Sequence, residues 1–156
     1  MAKQHQYKLT LAWLGNAGSG TLNYQAYNRD FVVIADGKPP ISGSSDPSFR
    51  GDATRYNPEE MLLMAVSSCH MLWYLHLCAV NNIIVEEYTD EPTGIMEENQ
   101  ENGGQFTSIT LNPIVKLKEL YDTVKLNRLH SEANRLCFIA NSLNFKILHE
   151  PGYIFE

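Results

Sequence analysis

Apolar and polar residues alternate over 7–14, the period of a half-buried strand. The Gly15-Asn16-Ala17-Gly18-Ser19-Gly20 run that follows is turn-forming. Two further strands are predicted over 22–27 and 31–34, separated by Asn28-Arg29-Asp30. Asp36-Gly37-Lys38-Pro39-Pro40 breaks the pattern, and 41–56, rich in Gly, Ser, Asp and Pro, reads as a loop. A helix then begins. Asn57 is a strong N-cap, Pro58 suits the first helical position, and Glu60 at the third can reach back to the cap amide. The helix runs to about Val80, where Asn81-Asn82 ends it. It is apolar nearly all round, which predicts burial on most of its faces.

Beyond it, strands are predicted over 83–90 and 94–97 around a turn at Glu91-Pro92-Thr93, followed by a polar turn over 97–104. The strongest strand pattern covers 106–117, with Pro113 marking a bulge or an edge. A second helix is predicted over 121–143, because Leu126, Leu129, Ala133, Leu136, Ala140 and Leu143 fall on one stripe. Asn144 ends it, a strand follows over 145–148, and Pro151-Gly152 precede a short apolar tail. Strands and helices do not alternate one for one. The order predicts an α+β fold with largely antiparallel sheet.

Length and composition narrow this picture. One domain over 1–156 suits a chain of 156 residues with 44% apolar and 19% charged residues. The twelve Lys and Arg are scattered and the net charge is −6, so no nucleic-acid partner is expected. The first residues are not followed by an apolar run, which argues against a secretory signal. The apolar stretch 61–80 is about as long as a membrane span, but Ser67, Ser68, His70 and His76 interrupt it, so a buried helix and no membrane are expected. Three cysteines without a signal point to the cytoplasm, where disulfides are catalytic or regulatory.

Those cysteines are the candidate chemistry. Cys69, in Ser67-Ser68-Cys69-His70, is either a small buried hydrophobe or a reactive thiol that needs a cation from elsewhere, since it lies about three turns into its helix. His70 points about 100° away from it and is expected to pack at a helix or subunit contact. His76 shares its face but lies about 10 Å along the helix. Ligands spread over that distance cannot converge on one ion, so no metal is expected. Cys78 falls on the opposite face and is read as packing. Glu60 is explained by capping, whereas Glu59 is not required by it. Arg29, Arg50 and Arg55 are loop arginines.

Asn57-Pro58-Glu59-Glu60-Met61-Leu62-Leu63 followed by Ser67-Ser68-Cys69-His70 resembles the motif of the OsmC/Ohr family, the osmotically inducible and organic-hydroperoxide-resistance proteins. The segment from Glu132 to Ser142 resembles that family's second cysteine helix. The resemblance implies a thiol-dependent peroxidase without a cofactor. Cys69 attacks a hydroperoxide and becomes a sulfenic acid, Cys137 condenses with it to a disulfide, and a dithiol reductant restores both thiols. It further implies an Arg–Glu pair at the reactive cysteine. Glu59 matches the family glutamate, and Arg50, with Arg29 as runner-up, is the arginine whose cation favours the thiolate and steadies the leaving oxyanion. An intertwined homodimer is also implied. Helix geometry agrees, because ten residues separate Glu59 from Cys69, about 15 Å, too far for one arginine to span. The sequence departs from the family in Phe138 after Cys137, where many members carry proline, and in the length of 41–56. The alternative is an OsmC-like binding or regulatory module without peroxide turnover.

Overall fold

The computed structural model describes residues 3–101 and 103–156. Met1 and Ala2, at the start of the segment judged for a signal, and Asn102, within the polar turn expected over 97–104, lie outside the described residues. The chain divides into two compact units, Met1–Met61 and Leu62–Glu156.

In the first unit, β1 (Thr10–Trp13), β2 (Phe31–Ile34) and β3 (Ile41–Gly43) form one antiparallel sheet in that order. The strand expected over 31–34 is present, and the one over 7–14 is reduced to its second half. The strand expected over 22–27 does not form. Its carbonyls are taken locally: Arg29 lies between the rings of Tyr24 and Tyr27, 4.2 Å from each centroid, and donates to both of their carbonyl oxygens. Asn16 and Asn23 side chains also accept amides two residues on, which favours turns over ladders. The expected loop over 41–56 contains β3 and a short 3-10 turn, Pro47–Phe49, capped by Asp46, which accepts from Ser48 N at 2.7 Å. The predicted helix start is reproduced as a reciprocal box. Asn57 Oδ1 accepts from Glu60 N at 2.8 Å, and Glu60 Oε2 accepts from Asn57 N at 3.1 Å.

Helix α1 (Pro58–Val80) ends where the sequence predicts. Its 23 residues are long and apolar enough, by length and composition, to cross a membrane. Within the chain it buries one stripe, Val66, His70, Tyr74 and Cys78, not most of its faces; Met64, Leu72 and Val80 stay exposed. The single stripe has the four-residue step of a helix lying on one surface.

The second unit holds two three-stranded sheets, β4-β7-β9 and β5-β6-β8. Their strands are β4 (Val85–Asp90), β5 (Thr93–Asn99), β6 (Gly103–Leu111), β7 (Pro113–Leu117), β8 (Ile147–His149) and β9 (Gly152–Phe155). In each sheet the two longer strands pair antiparallel and the C-terminal strand joins parallel, so the fold is α+β with largely antiparallel pairing. The single strand predicted over 106–117 is therefore two strands in two sheets. The chain changes sheet at Asn112, whose amide donates to Asp90 Oδ1 at 2.7 Å. Pro113, which lacks an N–H, opens β7.

Helix α2 (Thr123–Leu136) is capped by Asp122, which accepts from Val124 N at 2.9 Å. It stops well short of the expected 143. Asn141 Nδ2 donates to Arg135 O at 3.0 Å, and the Ala140 amide turns to Cys137 Sγ at 3.3 Å, so the next helical bonds are pre-empted. The stripe still predicts burial: Leu126, Leu129 and Ala133 lie in one core cluster, while Ala140 and Leu143 pack onto a second, around Val66, Ile109, Leu111 and Ile147. The first cluster also holds Tyr74, Cys78, Val115 and Leu117.

Candidate active site

Two of the candidate residues meet in the second unit. Cys69, on α1, is half-buried, and Cys137, the C-cap of α2, is fully buried. The two thiols are neighbours, close enough for Cys69 to act on the titration of Cys137. Cys137 reaches this position because it leaves the helix in an extended conformation, φ −65° and ψ 112°. The amides of Ala140 and Ile139 then point at its sulfur. Burial pushes the Cys137 thiol up to about 11; contact with Cys69 adds to this, against the weaker pull of the two amides. Cys137 thus stays a neutral thiol at physiological pH, and Cys69 is the less buried of the two residues.

The neighbouring hydroxyls are already engaged. Ser67 donates to Asp90, and Ser68 donates back to Met64 O at 2.7 Å. The thiol pair is bordered by aromatic surface. Trp73, one turn past Cys69, meets Phe138, the residue after Cys137, edge-on at 5.8 Å between centroids. Leu72, Trp73 and His76 line a shallow hollow of about 270 Å³. Cys78 lies in the core, and burial pushes it, too, up to about 11. It packs, as the helical spacing implies.

Glu59 and Arg50 belong to the first unit. Arg50 is exposed, ends the 3-10 turn at φ 65°, and shares a polar hollow of about 230 Å³ with Asn28, Arg29, Asp30, Gly51 and Asp52. Arg55 pairs with Asp30 at 3.6 Å and Asp52 at 3.3 Å. The Arg29 guanidinium is committed to Tyr24 and Tyr27. Among the described residues no ion pair joins Arg50 to Glu59, and Glu59 Oε2 is buried without a partner in its own chain. No group of three or more His, Cys, Asp or Glu side chains among the described residues could hold a metal ion.

Sequence reasoning missed one participant in the surroundings of the site. His130 on α2 is fully buried and bonded to His70. The available signal was its place on the α2 stripe, between Leu126 and Ala133, where a polar side chain needs a partner.

An accessible thiol on a long helix, held against a buried thiol at the end of another, defines a two-thiol α+β domain. The chain belongs to the OsmC-like protein family, whose pattern matches residues 51–150. An OsmC-like protein of unknown function from Vibrio cholerae has a similar structure, with a TM-score of 0.86 and 28% identity over 95% of this chain and 99% of that one. An OsmC-like protein from Mycoplasma pneumoniae shares the fold at a TM-score of 0.75 and 15% identity, over 97% and 99% of the two chains. So does an organic hydroperoxide resistance protein from Legionella pneumophila, at a TM-score of 0.68 and 14% identity, over 96% and 98%. No curated protein matches the sequence.

Proposed function

We propose that the protein is a cytoplasmic thiol-dependent peroxidase that reduces organic hydroperoxides through Cys69 and Cys137. The observation that carries this reading is the asymmetric thiol pair: one cysteine partly exposed, the other buried, neutral and next to it. The Cys69 thiolate attacks the distal peroxide oxygen, the O–O bond breaks, and the alkoxide leaves and takes a proton. Cys69 is then a sulfenic acid, and condensation with the Cys137 thiol forms the S–S bond and releases water. A dithiol reductant opens the disulfide by exchange. Glu59 and Arg50 are assigned to the site by the family resemblance, with Arg50 supplying positive charge toward the developing oxyanion.

Trp73, Phe138 and Leu72 beside the thiols favour a substrate with an apolar tail. Each methylene buried there is worth about 0.8 kcal/mol, so two methylenes account for roughly a tenfold preference. Stopped-flow rate constants should therefore be at least about tenfold higher for cumene hydroperoxide than for hydrogen peroxide. Equal constants would count against an apolar substrate site.

The functional unit is proposed to be a homodimer. Met64, Leu72 and Val80 leave apolar faces of α1 open in the single chain, and Glu59 Oε2 has no partner there. Light scattering at micromolar concentration should give twice the chain mass; a monomer would remove this part of the reading.

A further inference from the structure

Two histidines outside the thiol chemistry join the two segments that carry it. His70 follows Cys69 on α1, and His130 lies two turns before Cys137 on α2. His70 Nε2 and His130 Nδ1 are 2.9 Å apart, and the rings are nearly parallel, at 6°. The residues are 1% and 0% exposed. Three neighbouring elements contribute rings. Tyr74 of α1 stacks on His130 at 3.7 Å, His149 of β8 presents an edge to both imidazoles at 5.7 and 6.0 Å, and Tyr153 of β9 lies 6.1 Å from His130.

In such a bridge one ring nitrogen donates and the other accepts, so the contact has a direction as well as a distance. The remaining nitrogens, His70 Nδ1 and His130 Nε2, are buried without a partner. Two leucines would fill the same space without stranding polar atoms, so the bridge is a poor device for stability alone. What leucines lack is a directed bond, and a group that needs one is adjacent. Cys69 precedes His70 in the chain and is the neighbour of Cys137. The two contacts are about 10 Å apart along α2. Together they hold it against rotation, where either alone would act as a pivot.

We propose that His70 and His130 are positioning residues that hold the Cys137 thiol at Cys69 for disulfide formation. The proposal rests on the two-cysteine reading of the site but not on peroxide as the oxidant. With oxidised glutathione, the Cys69 thiolate attacks the glutathione disulfide and releases one reduced glutathione. Cys137 then displaces the second, loses its proton and closes the protein disulfide, so that two electrons leave on glutathione.

The test is equilibration of the full-length protein in glutathione buffers, with the Cys69–Cys137 disulfide read by alkylation and intact mass, to give the effective concentration of the thiol pair. His130→Leu and the double variant His70→Leu/His130→Leu should lower it at least about tenfold, as expected when reacting atoms are misplaced by about an ångström. The double leucine variant should regain thermal stability over the single one without regaining effective concentration, which separates positioning from packing. His70→Gln/His130→Asn puts polar atoms where Nε2 and Nδ1 were and should restore the wild-type value. The swapped pair, His70→Asn/His130→Gln, has the same chemistry in the wrong place and should not. Wild-type values in the folded leucine variants overturn the proposal. If the leucine variants do not fold, equal values in the two amide pairs overturn it. A wild type that forms no such disulfide in glutathione overturns it along with the two-cysteine cycle. A wild type that forms the disulfide but turns over no peroxide removes only the peroxidase reading.

Discussion

Cys69→Ser should abolish peroxide reduction, a loss of about a thousandfold or more, as expected when the only nucleophile of a covalent step is removed. Cys137→Ser should behave differently. The first sulfur–oxygen bond forms at Cys69 alone, so a single turnover should proceed within about a factor of a few of the wild-type rate. The cycle then stops, because the sulfenic acid has lost its neighbouring thiol. Further peroxide should carry Cys69 up the oxidation ladder. Intact mass after stepwise peroxide addition reads all of this: a loss of two hydrogens in the wild type, one and then two added oxygens in Cys137→Ser, and no change at position 69 in Cys69→Ser. Absence of the Cys69–Cys137 disulfide in the oxidised wild type would sink the two-cysteine cycle.

Acid should destabilise the fold between about pH 6.5 and pH 4. Burial holds His70 down to about 4 and His130 down to about 2, with neighbouring histidines adding to the effect, and burial lowers His149 as well. In the unfolded chain these residues take up protons below about 6.5, while in the folded chain His70 and His130 stay neutral until about 4 or below. The unfolded state therefore binds more protons in this window, and stability falls as the pH falls. At about 1.4 kcal/mol per pH unit, each of the two loses roughly 3 kcal/mol by pH 4. Their sum is comparable to the whole stability of many domains. Urea unfolding at pH 7.5 and pH 4.5 checks this, with His70→Gln/His130→Asn as the non-titrating control. An equal fall in the control would assign the acid sensitivity to other groups.

The parts of the fold that could be read from the sequence were those governed by local rules. Asn57, Pro58 and Glu60 specify a helix start with side chain and backbone alone, and the start is as predicted. The stripe on α2 identifies the buried face correctly even though the helix is shorter than the stripe, because a 3-10 turn carries Ala140 and Leu143 onward to the core. Expectation and structure part where side chains compete for backbone atoms. Tyr24 and Tyr27 have strand-forming side chains, but Arg29 takes their carbonyls. The apolar run through Pro113 looks like one strand, but Asp90, remote in sequence, takes the Asn112 amide at the change of sheet.

The site divides along the same line. From the sequence alone came the helix that carries Cys69, the opposite face of Cys78, and, through motif resemblance, the pairing of Cys69 with Cys137 and the assignment of Glu59 and Arg50. The first two depend on helical periodicity, which short-range sterics and hydrogen bonding dictate; the pairing and the assignment are what the resemblance implies. Only the tertiary structure decided that Cys137 is the buried, proton-holding member of the pair, because burial depends on what packs over a residue from every other element. It likewise decided that His70 turns inward to His130. A helical wheel sets the direction of a side chain on its own helix, but the partner in that direction sits 60 residues away in sequence and is fixed by the packing of α2 and β8 around the same core.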